Sequence, residues 1–219
     1  MNKNEATAMR KNISNLQAFL SILFVSSLLI SNVITAKQIQ LPLGITTTSA
    51  IIIFTITYIL SDLFSEVYGY KWSRQTCYFA FLMNVLMVIV FELVILTPSP
   101  SYWHNQEAFA AVLGSTPRVL TASLVAFVAG DFVNDKVFRK MKARHNDIQG
   151  FELRARTSSF VGGVVDSGLF IPIAFIGTMP FENMITMGIT QVAFKIGYEI
   201  LILPLTKLIV NKTLKYEKD

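Results

Sequence analysis

The sequence predicts an all-α polytopic membrane protein, a single domain of six transmembrane helices spanning residues 1–219. Three observations predict it. The first is composition: 53% of the residues are hydrophobic and 15% charged, with a mean hydropathy of +0.51, whereas soluble domains carry about 25% charged residues. The second is six apolar runs, each near the roughly 20 residues that a bilayer core requires of a helix. The third is a one-sided distribution of Lys and Arg.

The opening MNKNEATAMRKNISN is polar and weakly basic. The run that follows, LQAFLSILFVSSLLISNVITA, is longer than the apolar region of a signal peptide and lacks a clear small-x-small cleavage site. It is read as the first span, at about 15–35. The others fall at about 45–64, 75–96, 118–137, 158–178 and 184–209. Helices suit these runs because they satisfy their own backbone hydrogen bonds in lipid. A barrel would need alternating segments of about ten residues, and none is present.

Of the 19 Lys and Arg, all but Lys37, Arg118 and Lys195 fall in segments facing one side. By the positive-inside rule that side is cytoplasmic, and both termini lie there. The opposite side carries the loop TPSPSYWHNQEAFAAVLGSTP, where Tyr102 and Trp103 resemble interfacial anchors and NQEAFAAVLG suits a short surface helix. The basic inner stretch from Lys136 to Arg156 fits orientation and contact with anionic lipid. The net charge of +5 therefore does not point to nucleic acid. The single cysteine, Cys77, excludes an intramolecular disulfide.

Charges inside such a bundle cost about 2.5–3.5 kcal/mol each on insertion scales, so they normally face the interior and pair. The second span ends in DLFSEVYGYKWSR, with Asp62 and Glu66 one turn apart on one face. The fourth carries GDFVND, with Asp131 and Asp135 similarly spaced around Asn134. In the fifth, Ser159, Gly162, Gly163, Asp166 and Phe170 share a face. In the sixth, Gln191, Lys195 and Glu199 form a stripe. The third adds Asn84 and Glu92.

Depth separates two groups. Asp62, Glu66, Arg74, Asp135 and Arg156 lie near the cytoplasmic face, with Asp131 somewhat further in. They form either a structural clasp or a gate whose ion pairs break during transport. Asp62 and Glu66 are expected to pair with Arg74, Arg156 or both, while Tyr68, Tyr70 and Trp72 form an interfacial belt and Gly69 ends the helix. Asp166, Lys195 and Glu199 lie nearer mid-bilayer, with Asn84 and Gln191 in support. These suit a polar binding site, on which Phe170 or Tyr198 can stack a ring. For Lys195 the alternative is simple neutralisation of a carboxylate. Gly162 and Gly163 permit close helix packing.

The chain has no GxxxxGK[ST] phosphate loop and no HExxH motif, and His104 and His145 lie on opposite sides. ATP hydrolysis by that route and metal-dependent catalysis are not expected, nor is a cofactor or a metal site. An intramembrane enzyme is the weaker class.

SNVITAK, DLFSEVYGY with Arg74, GDFVND and RxRTSSxxGxxxDSxxF occur in this order from Ser31 to the sixth span. Together they resemble the vitamin-uptake-like family of queuosine precursor transporters. The resemblance implies inner-membrane import of 7-cyano- and 7-aminomethyl-7-deazaguanine. It also implies six helices similar to the substrate-binding subunits of energy-coupling-factor vitamin transporters. Members of this family look able to act without an ATPase module, and the first span lacks the AxxxA pattern by which those subunits dock their partner. A carboxylate can accept two hydrogen bonds from the guanine-like edge of such a ligand. That implies polar recognition by Asp166 and Glu199, supported by Asn84, Gln191 and Lys195. A homodimer is compatible with so small a bundle. The rival readings are the binding subunit of an ATP-driven importer, and carriage of a vitamin or another purine.

Overall fold

The computed structural model describes residues 13–144 and 151–216; at positions 43, 54, 55, 58, 135, 138, 142–144, 151–156 and 198–207 it describes backbone only. The architecture is helical. Helix α1, Asn15–Ile34, starts at Ser14, whose hydroxyl accepts from the Gln17 amide at 3.0 Å and so satisfies a first-turn donor. After α1 the chain makes an antiparallel hairpin. Strand β1 is Gln38–Gln40 and β2 is Thr46–Thr48, with Ile39 opposite Thr47. Its tip turns through Pro42–Gly44, where Gly44 takes φ +76°, a conformation open mainly to glycine. The Ser49 hydroxyl donates to the Ile34 and Lys37 carbonyls at 2.5 and 2.9 Å, tying the hairpin to the end of α1.

Helix α2, Ile51–Leu63, runs into a π-helical turn at Phe64–Tyr68. Gly69 stops that turn at φ +87°, and α3 follows as Tyr70–Leu96. The short α4, Gln106–Leu113, precedes α5, Thr116–Arg144. Helix α6 is Phe151–Phe175 and α7 is Phe181–Tyr216. The second span expected from residue 45 is thus replaced at its start by β2, because Thr46–Thr48 pair with β1 before the apolar run turns helical. Helix α3 starts before residue 75, and α5 runs beyond residue 137.

Two apolar clusters hold the bundle. Phe24, Leu28, Leu60, Leu63, Phe64, Ala80 and Val210 join α1, α2, α3 and α7. Phe24 meets Phe64 edge to face, with ring centroids 5.8 Å apart. The π turn matters here, since its extra residue per turn leaves both Leu63 and Phe64 fully buried. Tyr68 and Trp72 pack against this cluster. Only Tyr70 of the three aromatics expected at the interface is largely exposed. Ala122, Ile171, Ala174, Phe175, Met184 and Met187 join α5, α6 and α7. Among the described residues, helices α5 and α6 form the most extensive contact.

Among the described residues, four stretches are long and apolar enough to cross a membrane: Asn15–Ile34, Tyr70–Leu96, Gln106–Met141 and Thr157–Phe175. The outward face of α3 bears Phe79, Leu82, Leu86, Ile89 and Leu93, all exposed, as a lipid-facing helix requires. The chain is a multi-pass, mostly helical membrane protein. Two of the six expected spans are not among those four. One is α2, whose 13 α-helical residues fall short of the roughly 20 that a bilayer core takes. The other lies on α7, where residues 198–207 are described by backbone only.

Candidate functional site

The site begins where α5 crosses α6. A Cβ placed on Gly162 would sit 2.8 Å from the Gly130 carbonyl oxygen and 2.9 Å from Asn134 Cβ. One placed on Gly130 would sit 3.0 Å from both the Gly162 oxygen and Asp166 Cβ. Two glycines therefore bring the backbones together, as small residues do in membrane bundles. Asp131 and Asn134 on α5 and Ser159 and Asp166 on α6 then gather around one cavity of about 330 Å³. Helix α2 contributes Asp62 and α7 contributes Lys195, while Phe127, Phe160, Val192 and Ile196 supply apolar wall. The volume lies at the lower end of the roughly 300–1,000 Å³ common for small-molecule sites.

Among the described residues, two ion pairs hold Asp131 and Asp166. Arg74 Nη1 donates to Asp131 Oδ2 at 2.6 Å, joining α3 to α5. The guanidinium also lies 5.4 Å from the Tyr70 ring centroid and 6.0 Å from that of Tyr78, so an aromatic frame fixes it. Lys195 Nζ pairs with Asp166 Oδ2 and reaches Ser167 Oγ at 3.0 Å, joining α7 to α6. The lysine stem passes 3.7 Å from the Cβ position of Gly163. All four charged side chains keep between 22% and 33% of their surface accessible. They are shielded enough to need partners and open enough to meet a solute.

The inner and mid-depth groups of the sequence reading thus meet around one space. Asp62, Asp131, Asp166 and Lys195 line it, and Arg74 holds Asp131. Arg74 reaches α5 rather than Asp62 or Glu66, and Glu66 is exposed with no ion-pair partner among the described residues. Asn84 stands apart from the cavity. Fully buried, it accepts from Asn32 Nδ2 at 2.6 Å and donates to the Ala80 carbonyl at 2.8 Å, tying α3 to α1. Phe170 stacks edgewise on Phe175, 6.3 Å away, beside the second apolar cluster. Gln191 is half-buried and not part of the lining. The side chains of Asp135, Arg156, Tyr198 and Glu199 lie outside those described.

Sequence reasoning did not single out Ser167, the aromatic frame of Arg74 or the four apolar wall residues. DSG marks Ser167 only as a neighbour of Asp166, and the wall residues look like any lipid-facing side chains. Arg118 also has a clearer place. It donates to the carbonyls of Ile173 at 2.7 Å and Ile176 at 2.5 Å, closing the C-terminal end of α6. Among the described residues no cluster of His, Cys, Asp and Glu is placed to hold a metal.

A helical membrane protein with an open, largely apolar cavity of small-molecule size that carries paired charges has the form of a solute transporter. The chain belongs to the protein family described as "Putative vitamin uptake transporter", which matches residues 48–209. It is also 24% identical over 174 residues to a Bacillus subtilis (strain 168) protein described as "Probable queuosine precursor transporter". That similarity covers 80% of this chain and 76% of the relative. No solved structure matches it. Its family makes it a transporter rather than an enzyme.

Proposed function

We propose that this chain imports the queuosine precursors 7-cyano- and 7-aminomethyl-7-deazaguanine across the bacterial inner membrane, supplying tRNA modification. The observation that carries the reading is the cavity between α5, α6 and α7, which sets Asp166, Lys195 and Asn134 against apolar walls. Such a lining suits a flat heterocycle with a hydrogen-bonding edge. The description of the Bacillus subtilis relative supports the same cargo.

The protein crosses the membrane six times. The π turn extends α2 to Tyr68, bringing that segment to bilayer length, and α7 supplies the last crossing. The basic inner segments hold both termini in the cytoplasm. The bundle is similar to the substrate-binding subunits of energy-coupling-factor transporters, yet it works without an obligatory ATPase partner. Exposure of the cavity alternates between the two faces, and Asp62 with the Arg74–Asp131 pair forms its cytoplasmic gate.

The test is tRNA queuosine content in bacteria unable to make the precursors, with and without this chain and with either base in the medium. Queuosine is expected only where the protein is present. A properly inserted protein that makes no difference for either base overturns the cargo.

A further inference from the structure

The ion pairs of Asp131 and Asp166 at the cavity differ in how readily they can open. Arg74 is a planar fork set between two tyrosine rings and bonded to Asp131. Lys195 carries its charge on a flexible stem. Among the described residues no aromatic ring holds it, and Gly163 leaves space along that stem, with Lys195 Cδ at ordinary contact distance. Both Asp166 and Lys195 are partly accessible and line the cavity. The ammonium bonds to Oδ2 of Asp166, one of the two oxygens that a ligand's adjacent N–H donors would engage. A ligand whose adjacent N–H donors take both oxygens of Asp166 competes with the ammonium at Oδ2.

We infer that Lys195 is a swinging specificity residue: it neutralises Asp166 when the cavity is empty and moves to a ligand carbonyl when Asp166 takes the adjacent N–H donors. The pair would then read one chemical edge, a ring carbonyl beside a ring N–H and an exocyclic amine. Asp166 accepts from the two nitrogens and Lys195 donates to the oxygen. Its charge stays compensated, because the carboxylate remains within reach and Ser167 Oγ offers an acceptor at 3.0 Å. A base with a thiocarbonyl in place of the carbonyl keeps the ring N–H for Asp166 but gives Lys195 only a weak acceptor. Lys195 therefore selects between bases, while Arg74 stays with Asp131 as the base is read. This deepens the proposed function and rests on its choice of a 7-deazaguanine cargo.

The test uses the full-length chain in lipid nanodiscs and two probes, 7-cyano-7-deazaguanine and its analogue with a thiocarbonyl in place of the ring carbonyl, which keeps the ring N–H for Asp166 but is a weak acceptor for Lys195. Wild type is expected to bind the carbonyl base at least about tenfold more tightly, the worth of one hydrogen bond from a charged donor. Lys195→Met is expected to bring the two affinities within about twofold, and Lys195→Arg to restore part of the difference. Because Lys195→Met leaves Asp166 unpaired and can impair folding, Asp166→Asn/Lys195→Met removes both charges together and is also expected to lose the discrimination. Unchanged discrimination in a folded Lys195→Met or in the double variant overturns the lysine's role and leaves the cargo standing. Failure of wild type to bind either base overturns the cargo, and the edge-reading role with it.

Discussion

Replacing Gly162 by alanine should loosen the protein at its cavity. The added Cβ would meet the Gly130 carbonyl oxygen at 2.8 Å and Asn134 Cβ at 2.9 Å, both inside normal contact. Neither obstacle is the tip of a flexible side chain, so α5 and α6 must separate. Overpacking of this kind costs about 1–3 kcal/mol. For a chain of about 150–250 residues each kcal/mol lowers Tm by about 2–4 °C, so a fall of several degrees is expected. Gly168→Ala is the control, because nothing lies within 4 Å of its added Cβ and alanine favours the helix by about 1 kcal/mol. Gly163→Ala should be equally mild, since its nearest neighbour is Lys195 Cδ at 3.7 Å. The assay is thermal unfolding of the three purified variants, read by the loss of monodisperse protein on gel filtration. Uptake should fall with stability only in Gly162→Ala, since Asn134 and Asp166 flank the same crossing. A Gly162→Ala protein as stable as Gly168→Ala would refute the close packing of α5 on α6.

Other expectations follow from the same contacts. Asn32→Leu or Asn84→Leu alone leaves a buried amide without its partner, costing about 1–3 kcal/mol, whereas the double variant should recover much of that in thermal unfolding. Arg74→Asp should destabilise the protein by more than the about 0–1 kcal/mol of a surface pair, though by less than the about 3–5 of a fully buried one, because both side chains are about a third accessible. Arg74→Asp combined with Asp131→Arg should regain stability, and failure to do so counts against a simple α3–α5 pair. Topology is testable by thiol labelling after the single cysteine is removed by Cys77→Ser. Lys37→Cys should react with an impermeant reagent in intact spheroplasts and Lys140→Cys only in inverted vesicles. Labelling of both positions from one side would contradict the proposed orientation.

The helical membrane class was legible because lipid imposes it on composition and run length. The glycines and the carboxylates of GDFVND and DSG were legible too, since charges and small residues stand out among apolar ones. Pairing between helices was not. Arg74 lies close in sequence to Asp62 and Glu66, and nothing local shows that the π turn and Gly69 carry the chain round so that α3 delivers Arg74 to Asp131. Asn84 looked like a candidate ligand residue because a buried amide needs partners. That its partner is Asn32 depends on the packing of α1 on α3, which periodicity does not encode. The hairpin was hidden for a similar reason. Thr46–Thr48 continue an apolar stretch, and their strand pairing depends on a turn at Gly44 and on the Ser49 side chain.

The most direct measurement of the central claim is uptake of labelled 7-cyano-7-deazaguanine into liposomes holding the purified full-length chain. Wild type and Gly168→Ala should accumulate the base equally, while folded Asp166→Asn should be slower by at least about tenfold, having lost the charged acceptor of the cavity. Equal uptake by Asp166→Asn would place the transport path somewhere other than the cavity between α5, α6 and α7.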